Sequence, residues 1–417
     1  MLYGYDDTNR LTSITQGTSV VSIAYDNANR RSTLTYPNGI LATYGYDDAN
    51  QLTSLTYTLG QTTVGNLMYT YDAAGQRTTV GGSWARTGLP QALSSATYDA
   101  ANRIATWAGQ IFSYDANGNL ASNGLTSYVW SSRNQLVGIT EPMNASYAYD
   151  GIGRRSARTV TATTHFLYDG PNVVQETVAG NATASLQTGL FIDETFTRTD
   201  GTSTTSMLID ALGSVVALSG PSATVDTAYT YEPFGNTVVT GAATTNSFAF
   251  TERELDGSGL FFYRARYYDT ISQRFMSEDP IEFRGGANLF AYVGNRPTRY
   301  SDPLGLRACD LPRCFEDIFW NCLTDWVLPG WNTIAQDIAS AGSTARAITL
   351  YNEALVHAAA RGLTFPQRST IWQALMNASR GWLEIAGQTV PLAFIDAGIA
   401  KCLAVEINAA MNGKCRP

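Results

Sequence analysis

The first three quarters of the chain alternate short β-favouring runs with polar turn segments. Apolar positions alternate with polar ones in these runs, as at Leu11 and Ile14 or at Leu52 and Leu55. Thr, Ser, Val and Tyr are abundant and favour strands, whereas Gly and Asn supply the positive φ angles of tight turns. No amphipathic helix of ordinary length is predicted before about residue 310. The pattern therefore predicts consecutive β-hairpins over residues 1–306.

Tyr-Asp pairs recur along this region and give it an internal repeat. Most successive pairs lie roughly 16 to 27 residues apart, which is too irregular for a tight solenoid and suits hairpins of variable length. Tyr is predicted to end a strand, and Asp-x-x-Asn or Asp-x-x-Gly to form the next turn. A degenerate copy begins at Trp130, and the pairs are Tyr5-Asp6, Tyr25-Asp26, Tyr46-Asp47, Tyr71-Asp72, Tyr98-Asp99, Tyr114-Asp115, Tyr149-Asp150 and Tyr168-Asp169. We predict a sheet that spirals into a wall.

The repeated Tyr and Asn residues allow a second interpretation, a carbohydrate-binding face. Aromatic rings stack on sugars, and neighbouring polar groups bind hydroxyls. A Tyr at the end of a strand is more often a packing residue, so we interpret the repeats as scaffold.

Composition changes abruptly after Leu306. All five Cys and both Lys lie beyond this residue. Eighteen of the 27 basic and 26 of the 35 acidic residues lie up to it, so residues 1–306 carry the whole formal net charge of -8. This asymmetry predicts a domain boundary between Leu306 and Arg307.

Residues 307–417 are predicted to form a small, mainly α-helical C-terminal domain. Asp396 and Lys401 interrupt the most hydrophobic stretch, so no transmembrane segment is predicted. The segments with helical spacing or helix-ending signals are 317–327, 345–361, 366–383 and 392–411.

The C-terminal domain offers only weak candidates for chemistry. His357 lies one predicted helical turn after Glu353, which could orient it as a general base, although a lone helical His is more often structural. The five Cys fit no usual zinc spacing, and two disulfides with one free thiol or five free thiols are both compatible with them. Nine positive and nine negative charges without a basic cluster argue against nucleic-acid binding.

Several motifs in residues 203–306 resemble the core segment of the Rhs/YD-repeat proteins. This polymorphic-toxin family includes the C components of insecticidal toxin complexes and is related to the teneurin shell. The matching motifs are Asp210-Ala-Leu-Gly-Ser214, Tyr229-Thr-Tyr-Glu-Pro-Phe-Gly235, in which Glu232 replaces the usual Asp, and Gly259-Leu-Phe-Phe-Tyr-Arg-Ala-Arg-Tyr-Tyr-Asp269. The resemblance implies a YD-repeat β-hairpin shell in three parts: repeats at 1–202, a repeat-associated core at 203–306 and a variable effector domain at 307–417.

Two Asp-Pro pairs, Asp279-Pro280 and Asp302-Pro303, supply candidate chemistry. They are expected in Pro-containing turns that flank a strand over residues 288–295. Two adjacent carboxylates share a proton, so one can activate water while the other protonates a leaving group. Residues 1–306 contain no Cys and one His, His165, so a thiol or zinc mechanism is poorly provided for. Asp before Pro also commonly initiates a turn, which is the alternative interpretation.

The resemblance implies that these Asp residues are the self-cleavage pair of the family, with Arg266 beside them. The implied cut lies between Leu306 and Arg307 and occurs once, in cis. Arg266 could keep one carboxylate ionised or polarise the scissile carbonyl. The chain departs from many family members at Glu282, where they carry Gly. No cofactor and no metal are predicted.

The expected partners and location follow from the same resemblance. The C-terminal domain is the expected cargo of the shell, and an immunity protein and secretion-system components are possible partners. A secreted or cell-surface location is expected, although the N-terminus shows no signal-peptide pattern and Met1 begins inside a repeat, as a fragment or a displaced cassette would. The alternatives are a structural or adhesive surface-repeat protein and an inactive orphan cassette.

Overall fold

The computed structural model describes residues 1–90, 92–308, 382–385 and 388–391. The chain divides into two compact units, and the first contains the described residues from Ser13 to Ala308 together with residues 1 and 2. The described residues of the second unit are Tyr3–Thr12 and one hairpin, β30–β31 (Trp382–Ile385 and Gln388–Pro391). The helix predicted over 366–383 is therefore wrong at Trp382 and Leu383, which start a strand. The other predicted helices and the candidate residues Glu353 and His357 lie outside the described residues.

The described strands form antiparallel sheets in which nearly every strand pairs with its neighbours in sequence. An eight-stranded sheet contains β1–β8, at Leu2–Tyr5, Leu11–Gln16, Ser19–Tyr25, Arg31–Thr35, Leu41–Tyr46, Leu52–Leu59, Thr62–Tyr71 and Arg77–Gly81. A three-stranded sheet contains β9–β11, at Ala96–Tyr98, Ile104–Trp107 and Gln110–Ile111. The predicted mainly β fold of consecutive hairpins is confirmed.

The largest sheet has fourteen strands, and a four-stranded sheet follows it in the sequence. Strands β12–β25 of the large sheet lie at Ser113–Tyr114, Leu120–Ser122, Ser127–Trp130, Leu136–Thr140, Ala145–Tyr149, Arg155–Thr159, Thr163–Asp169, Asn172–Val178, Asn181–Thr188, Thr195–Asp200, Ser203–Ile209, Val215–Ser219, Val225–Tyr231 and Thr237–Gly241. Strands β26–β29 lie at Glu254–Leu255, Phe261–Tyr263, Arg266–Asp269 and Arg274–Phe275. The 3-10 helices of the described part are Phe250–Glu252, Glu282–Arg284 and Val293–Asn295. No helix in the described ranges has the length and apolar character needed to cross a bilayer.

The repeated Tyr-Asp turns share one hydrogen-bonding pattern, which Asp26 illustrates. Its Oδ1 accepts the backbone N–H groups of Ala28 and Arg30, both at 2.9 Å, and its Oδ2 accepts Arg30 Nε at 2.7 Å. Asn29 adopts a positive φ of 61°, which Asn tolerates better than most residues. The Arg30 guanidinium also lies over the ring of Tyr46, the Tyr of the next repeat, 4.6 Å from its centroid. Asp, Asn and Arg of the motif therefore close one turn and bind the next repeat.

Four of the repeat Tyr residues bind the backbone of the preceding strand. In these four, the hydroxyl donates to a carbonyl oxygen near the start of that strand, and the ring is partly covered. The pairs are Tyr46 to Arg31 at 3.0 Å, Tyr71 to Leu52 at 2.8 Å, Tyr149 to Leu136 at 2.7 Å and Tyr168 to Arg155 at 2.8 Å. These contacts support the scaffold interpretation of the repeats over a carbohydrate-binding face.

A buried aromatic cluster packs the four-stranded sheet against the fourteen-stranded one. Tyr263, Tyr268, Phe275 and Tyr292 are almost fully buried and make mutual ring contacts with centroids 4.6 to 5.9 Å apart. They belong to a larger core that also contains residues of the large sheet, such as Met207. This core fixes β28 and β29, which carry the site described below.

The strand expected over residues 288–295 is absent, so that prediction is wrong. Asn288 instead starts a turn, in which its side chain accepts the N–H of Phe290 at 3.1 Å. Val293, Gly294 and Asn295 all have positive φ angles, of 42°, 58° and 60°, which no strand accommodates. Only Ala291 makes an isolated β-bridge, to Arg274.

Candidate functional site

Arg266 occupies the centre of the candidate site. It is the first residue of β28 and pairs with Tyr263 across a two-residue turn. Its guanidinium stacks on the Phe275 ring, with the central carbon 3.6 Å from the ring centroid. Nη1 donates to the Leu289 carbonyl at 3.0 Å, and Nε donates to the Gly305 carbonyl. These contacts fix the direction in which the remaining nitrogen points.

That remaining nitrogen, Nη2, lies between the two predicted carboxylates. It is 2.9 Å from Asp279 Oδ2 and 3.5 Å from Asp302 Oδ2. The exposed fractions are 2% for Arg266, 6% for Asp279 and 1% for Asp302, so the group is removed from solvent. The structure thus places the three residues named from the sequence at one buried centre.

Asp302 binds the backbone that leads into the domain boundary. Its Oδ1 accepts the N–H of Leu306 at 2.8 Å and the N–H of Arg307 at 3.1 Å. The second of these nitrogens belongs to the Leu306–Arg307 peptide bond. The Asp302 carboxyl is therefore within hydrogen-bonding distance of the nitrogen of that bond.

Asp279 and the carbonyl oxygen of the same peptide bond both lie next to Gly285. Its Oδ1 accepts the Ile281 N–H at 3.0 Å. A methyl group added to Gly285 would collide with Asp279 Oδ2 and would lie 2.8 Å from the Leu306 carbonyl oxygen. Gly285 therefore marks a small space that both oxygens border, and the lack of a side chain keeps that space open.

Burial determines the protonation behaviour of the two carboxyls. It raises the pKa of both Asp279 and Asp302 to about 6, although the Arg266 charge and backbone N–H donors oppose the shift. The proximity of Asp302 raises the pKa of Asp279 further. Burial also lowers the pKa of Arg266, which the two carboxylates oppose. Because the carboxyls are coupled through Arg266, they titrate as a pair near neutral pH.

Sequence reasoning missed Phe275, Leu289 and Gly285 as parts of the site. Phe275 and the Leu289 carbonyl orient Arg266, and no local spacing signals such contacts. Glu282, the departure from the family pattern, is exposed and has a positive φ of 57°, a conformation that Gly adopts without strain. In the described part of the chain, no group of three or more His, Cys, Asp or Glu side chains is arranged to hold a metal ion.

Consecutive hairpins with Tyr-Asp turns place the chain among the YD-shell proteins. The family model for the teneurin YD-shell matches residues 43–288, and the model for the RHS repeat matches residues 5–43. The chain belongs to the Rhs/YD-shell family of polymorphic toxins.

The chain spans less than a fifth of the length of two of the curated relatives it matches. The chain is 30% identical over 252 residues to the tRNA3(Ser)-specific nuclease WapA of Bacillus spizizenii, an alignment that covers 57% of this chain and 11% of that protein. It is 27% identical over 253 residues to the double-stranded DNA deaminase toxin A of Burkholderia cenocepacia, covering 50% of this chain and 18% of that protein.

A solved structure supports the fold. The Photorhabdus luminescens Tc holotoxin pore matches with a TM-score of 0.54 and 15% identity, over 74% of this chain and 21% of that chain. At this identity the likeness concerns the fold alone.

Proposed function

We propose that the shell part cuts its own chain between Leu306 and Arg307 and releases the domain that begins at Arg307. The observation that carries this proposal is the contact between Asp302 Oδ1 and the Arg307 N–H at 3.1 Å, at the position where composition changes. The Asp279 carboxyl and the Leu306 carbonyl oxygen both border Gly285. Two carboxyls near this peptide bond share one guanidinium, which supports the proposal.

The proposed reaction is a single hydrolysis in cis. Ionised Asp279 takes a proton from a water molecule as its oxygen attacks the Leu306 carbonyl carbon. Protonated Asp302 gives its proton to the Arg307 nitrogen, the C–N bond breaks, and a Leu306 carboxylic acid and an Arg307 amine form; the new carboxylic acid then loses its proton to the ionised Asp302 or to solvent. The mechanism needs one ionised and one protonated carboxyl. The positive charge of Arg266 keeps one of the two carboxyls ionised.

The released domain is proposed to be an effector enclosed by the shell until it is cut free. One relative is named for a tRNA nuclease activity and another for a DNA deaminase activity, and the two align with this chain over 252 and 253 residues. A common shell with different activities supports a variable passenger. We propose that the protein is secreted or displayed at the cell surface, with an immunity protein and secretion-system components as partners.

Intact-mass measurement of the full recombinant chain tests the cut. The wild type should yield a fragment spanning residues 307–417, whereas Asp279→Asn and Asp302→Asn should slow its formation by roughly 10³-fold or more, since each removes one proton-transfer group. Asp269→Asn is the matched control, because Asp269 belongs to β28 and caps the turn after it through the Ile271 N–H. A folded wild-type chain that stays uncut would contradict the proposal and favour a structural shell.

A further inference from the structure

The turn between β27 and β28 binds the backbone just before the proposed cut. Three consecutive residues of the turn donate to three consecutive carbonyls: the Arg264 side chain to Pro303, the Ala265 N–H to Leu304 at 3.2 Å, and Arg266 Nε to Gly305. A shift of one residue would break all three bonds together. The turn therefore holds the segment that carries Asp302 and the Leu306–Arg307 bond in register with Arg266, and so with Asp279.

The first of these donors, Arg264, depends on a residue far away in sequence. Its Nη2 lies 2.6 Å from Asp193 Oδ1 and its Nη1 lies 3.2 Å from Asp193 Oδ2, a bidentate ion pair. Nε and Nη2 also donate to the Pro171 carbonyl, at 3.3 and 3.2 Å. Arg264 itself has a left-handed φ of 59°, so its side chain leaves the turn in a direction set by these partners.

Asp193 is the carboxylate between two buried guanidiniums. It pairs with Arg253 as well as with Arg264, and all three side chains are at most 8% exposed. Arg253 donates through Nε and Nη2 to the Phe262 carbonyl on β27, at 3.1 and 2.9 Å. Burial and the neighbouring Arg253 lower the pKa of Arg264, while Asp193 and Glu254 oppose this. Without Asp193, two cations would face each other in a site that excludes water.

We infer that Asp193 is a positioning residue for self-cleavage, which acts by fixing Arg264 on the Pro303 carbonyl and thereby fixes the register of the Leu306–Arg307 bond. The inference rests on the proposed function. Asp193 does not touch the reacting atoms. It acts on them through the backbone from Pro303 to Leu306. A shift of this backbone by about 1 Å would move the peptide bond out of position for catalysis.

The test measures the rate of cleavage of the full chain in cell-free translation, with the folded fraction followed by near-UV circular dichroism. Asp193→Asn should slow cleavage roughly 10- to 100-fold per folded molecule. Glu176→Gln is the matched control, since Glu176 forms an equally buried ion pair with Arg198, at 2.8 and 3.0 Å, outside the candidate site. That control should lose stability and cleave at the wild-type rate per folded molecule.

Two further readouts separate positioning from a general structural role. Arg264→Gln should slow cleavage to a similar degree, and adding Asp193→Asn to it should slow cleavage no further, because both changes act through one contact. In Asp193→Asn, the alkaline fall in the cleavage rate should occur at a lower pH, because uncompensated cations near the Asp pair favour ionised carboxyls. In Glu176→Gln, the pH of this fall should not change. If Asp193→Asn is too unstable to measure, Arg264→Gln alone decides.

The outcomes distinguish the inference from the proposed function. An uncut wild-type chain removes the proposed function, and the inference with it. A wild type that cuts, beside folded Asp193→Asn or Arg264→Gln chains that cut at the wild-type rate, overturns the inference alone. Fully additive effects of the two changes would likewise overturn it.

Discussion

The repeat turns and the candidate site use the same local structure in different surroundings. Asp26 accepts the Ala28 N–H with its side chain and the Asn29 N–H with its backbone carbonyl, at 2.9 and 3.0 Å. Asp279 binds Ile281 and Glu282 in the same way, at 3.0 and 2.8 Å. The site is thus built from turns of the repeat type.

Asp302 completes the comparison. Its backbone carbonyl accepts the Gly305 N–H at 3.2 Å, and Gly305 has a positive φ of 69°, as Asn29 has in the repeat turn. The position that Arg30 occupies in the repeat is Leu306 in the site, so the Asp302 turn lacks a cation of its own. The cation comes from Arg266 in β28 instead.

Exposure explains why one turn is a scaffold and the other a candidate for chemistry. The backbone N–H of Arg30 lowers the pKa of Asp26, which stays ionised at its surface turn. Burial raises the pKa of Asp302 to about 6 despite three backbone N–H donors and Arg266. We therefore propose that burial, and a cation shared with a second carboxyl, distinguish a proton-transferring Asp turn from a scaffold turn.

The pH dependence of cleavage should show this difference most strongly. The mechanism needs one protonated and one ionised carboxyl, and both pKa values are near 6. Above about pH 6 the rate should fall roughly tenfold per pH unit as the shared proton is lost, and it should also fall in acid, where no base remains. The measurement is the rate after refolding the uncut chain from urea between pH 5 and pH 8. A flat profile would show that the Asp pair does not transfer the proton.

The same shifts carry opposite signs for stability. Asp279 and Asp302 have raised pKa values in the folded state, so their contribution to stability is fully present below the pKa values of the unfolded chain. This contribution is lost as the pH rises through about 6. The lowered pKa of Asp26 contributes stability above its unfolded value, which is lost in acid.

Substitution of a glycine beside the candidate site should slow cleavage, whereas the same substitution in a repeat turn should not. The expected effect is smaller than that of pH. Gly285→Ala places a methyl group against the Asp279 carboxylate, so we expect cleavage to slow about tenfold or more, because the carboxyl must move to admit it. Gly151→Ala in a repeat turn is the control, since nothing lies within 4 Å of an added methyl there. Time courses of the two variants measure the effect. Equal rates would mean that Asp279 does not need its present position.

The sequence predicted the scaffold better than the site, for physical reasons. Alternation and turn residues are local signals, so the hairpins and the Asp turns could be predicted. The choice of Asp279, Asp302 and Arg266 came from the family resemblance, because their burial and mutual distances depend on contacts between separate strands. Asp193 had no signal, since it reaches the site only through Arg264.

The wrong strand at residues 288–295 has a comparable cause. Apolar Leu289, Phe290 and Val293 give the segment a strand-like composition, but Asn288 starts a turn and three successive positive φ angles follow from Val293. The segment supplies the Leu289 carbonyl to Arg266 from that irregular path. The conformation of this segment is therefore determined by its tertiary contact with Arg266 and not by local strand propensity.

The smallest expected effect concerns a repeat turn. Arg154 pairs with Asp150 at 2.8 Å, lies 4.9 Å from the Tyr168 ring centroid and donates to the Gly170 carbonyl at 3.2 Å. Arg154→Ala should lower the free energy of unfolding by about 1 kcal/mol, because the pair is partly exposed and screened by solvent. Urea unfolding in an Asp302→Asn background, where the chain stays intact, measures this change.

Arg154→Lys tests which contact matters in that turn. Lys keeps the charge but loses the planar stacking on Tyr168 and the fork that reaches Asp150 and Gly170 together, so it should recover only part of the loss. In the wild-type background neither variant should alter the cleavage rate per folded molecule, because Arg154 and Asp150 contact none of Asp279, Asp302 and Arg266; the nearest link is Gly170, which precedes the Pro171 carbonyl that binds Arg264. A slower cleavage rate would show that the repeat turns are coupled to the site. Burial alone would then not separate turns that serve as scaffold from turns that take part in cleavage.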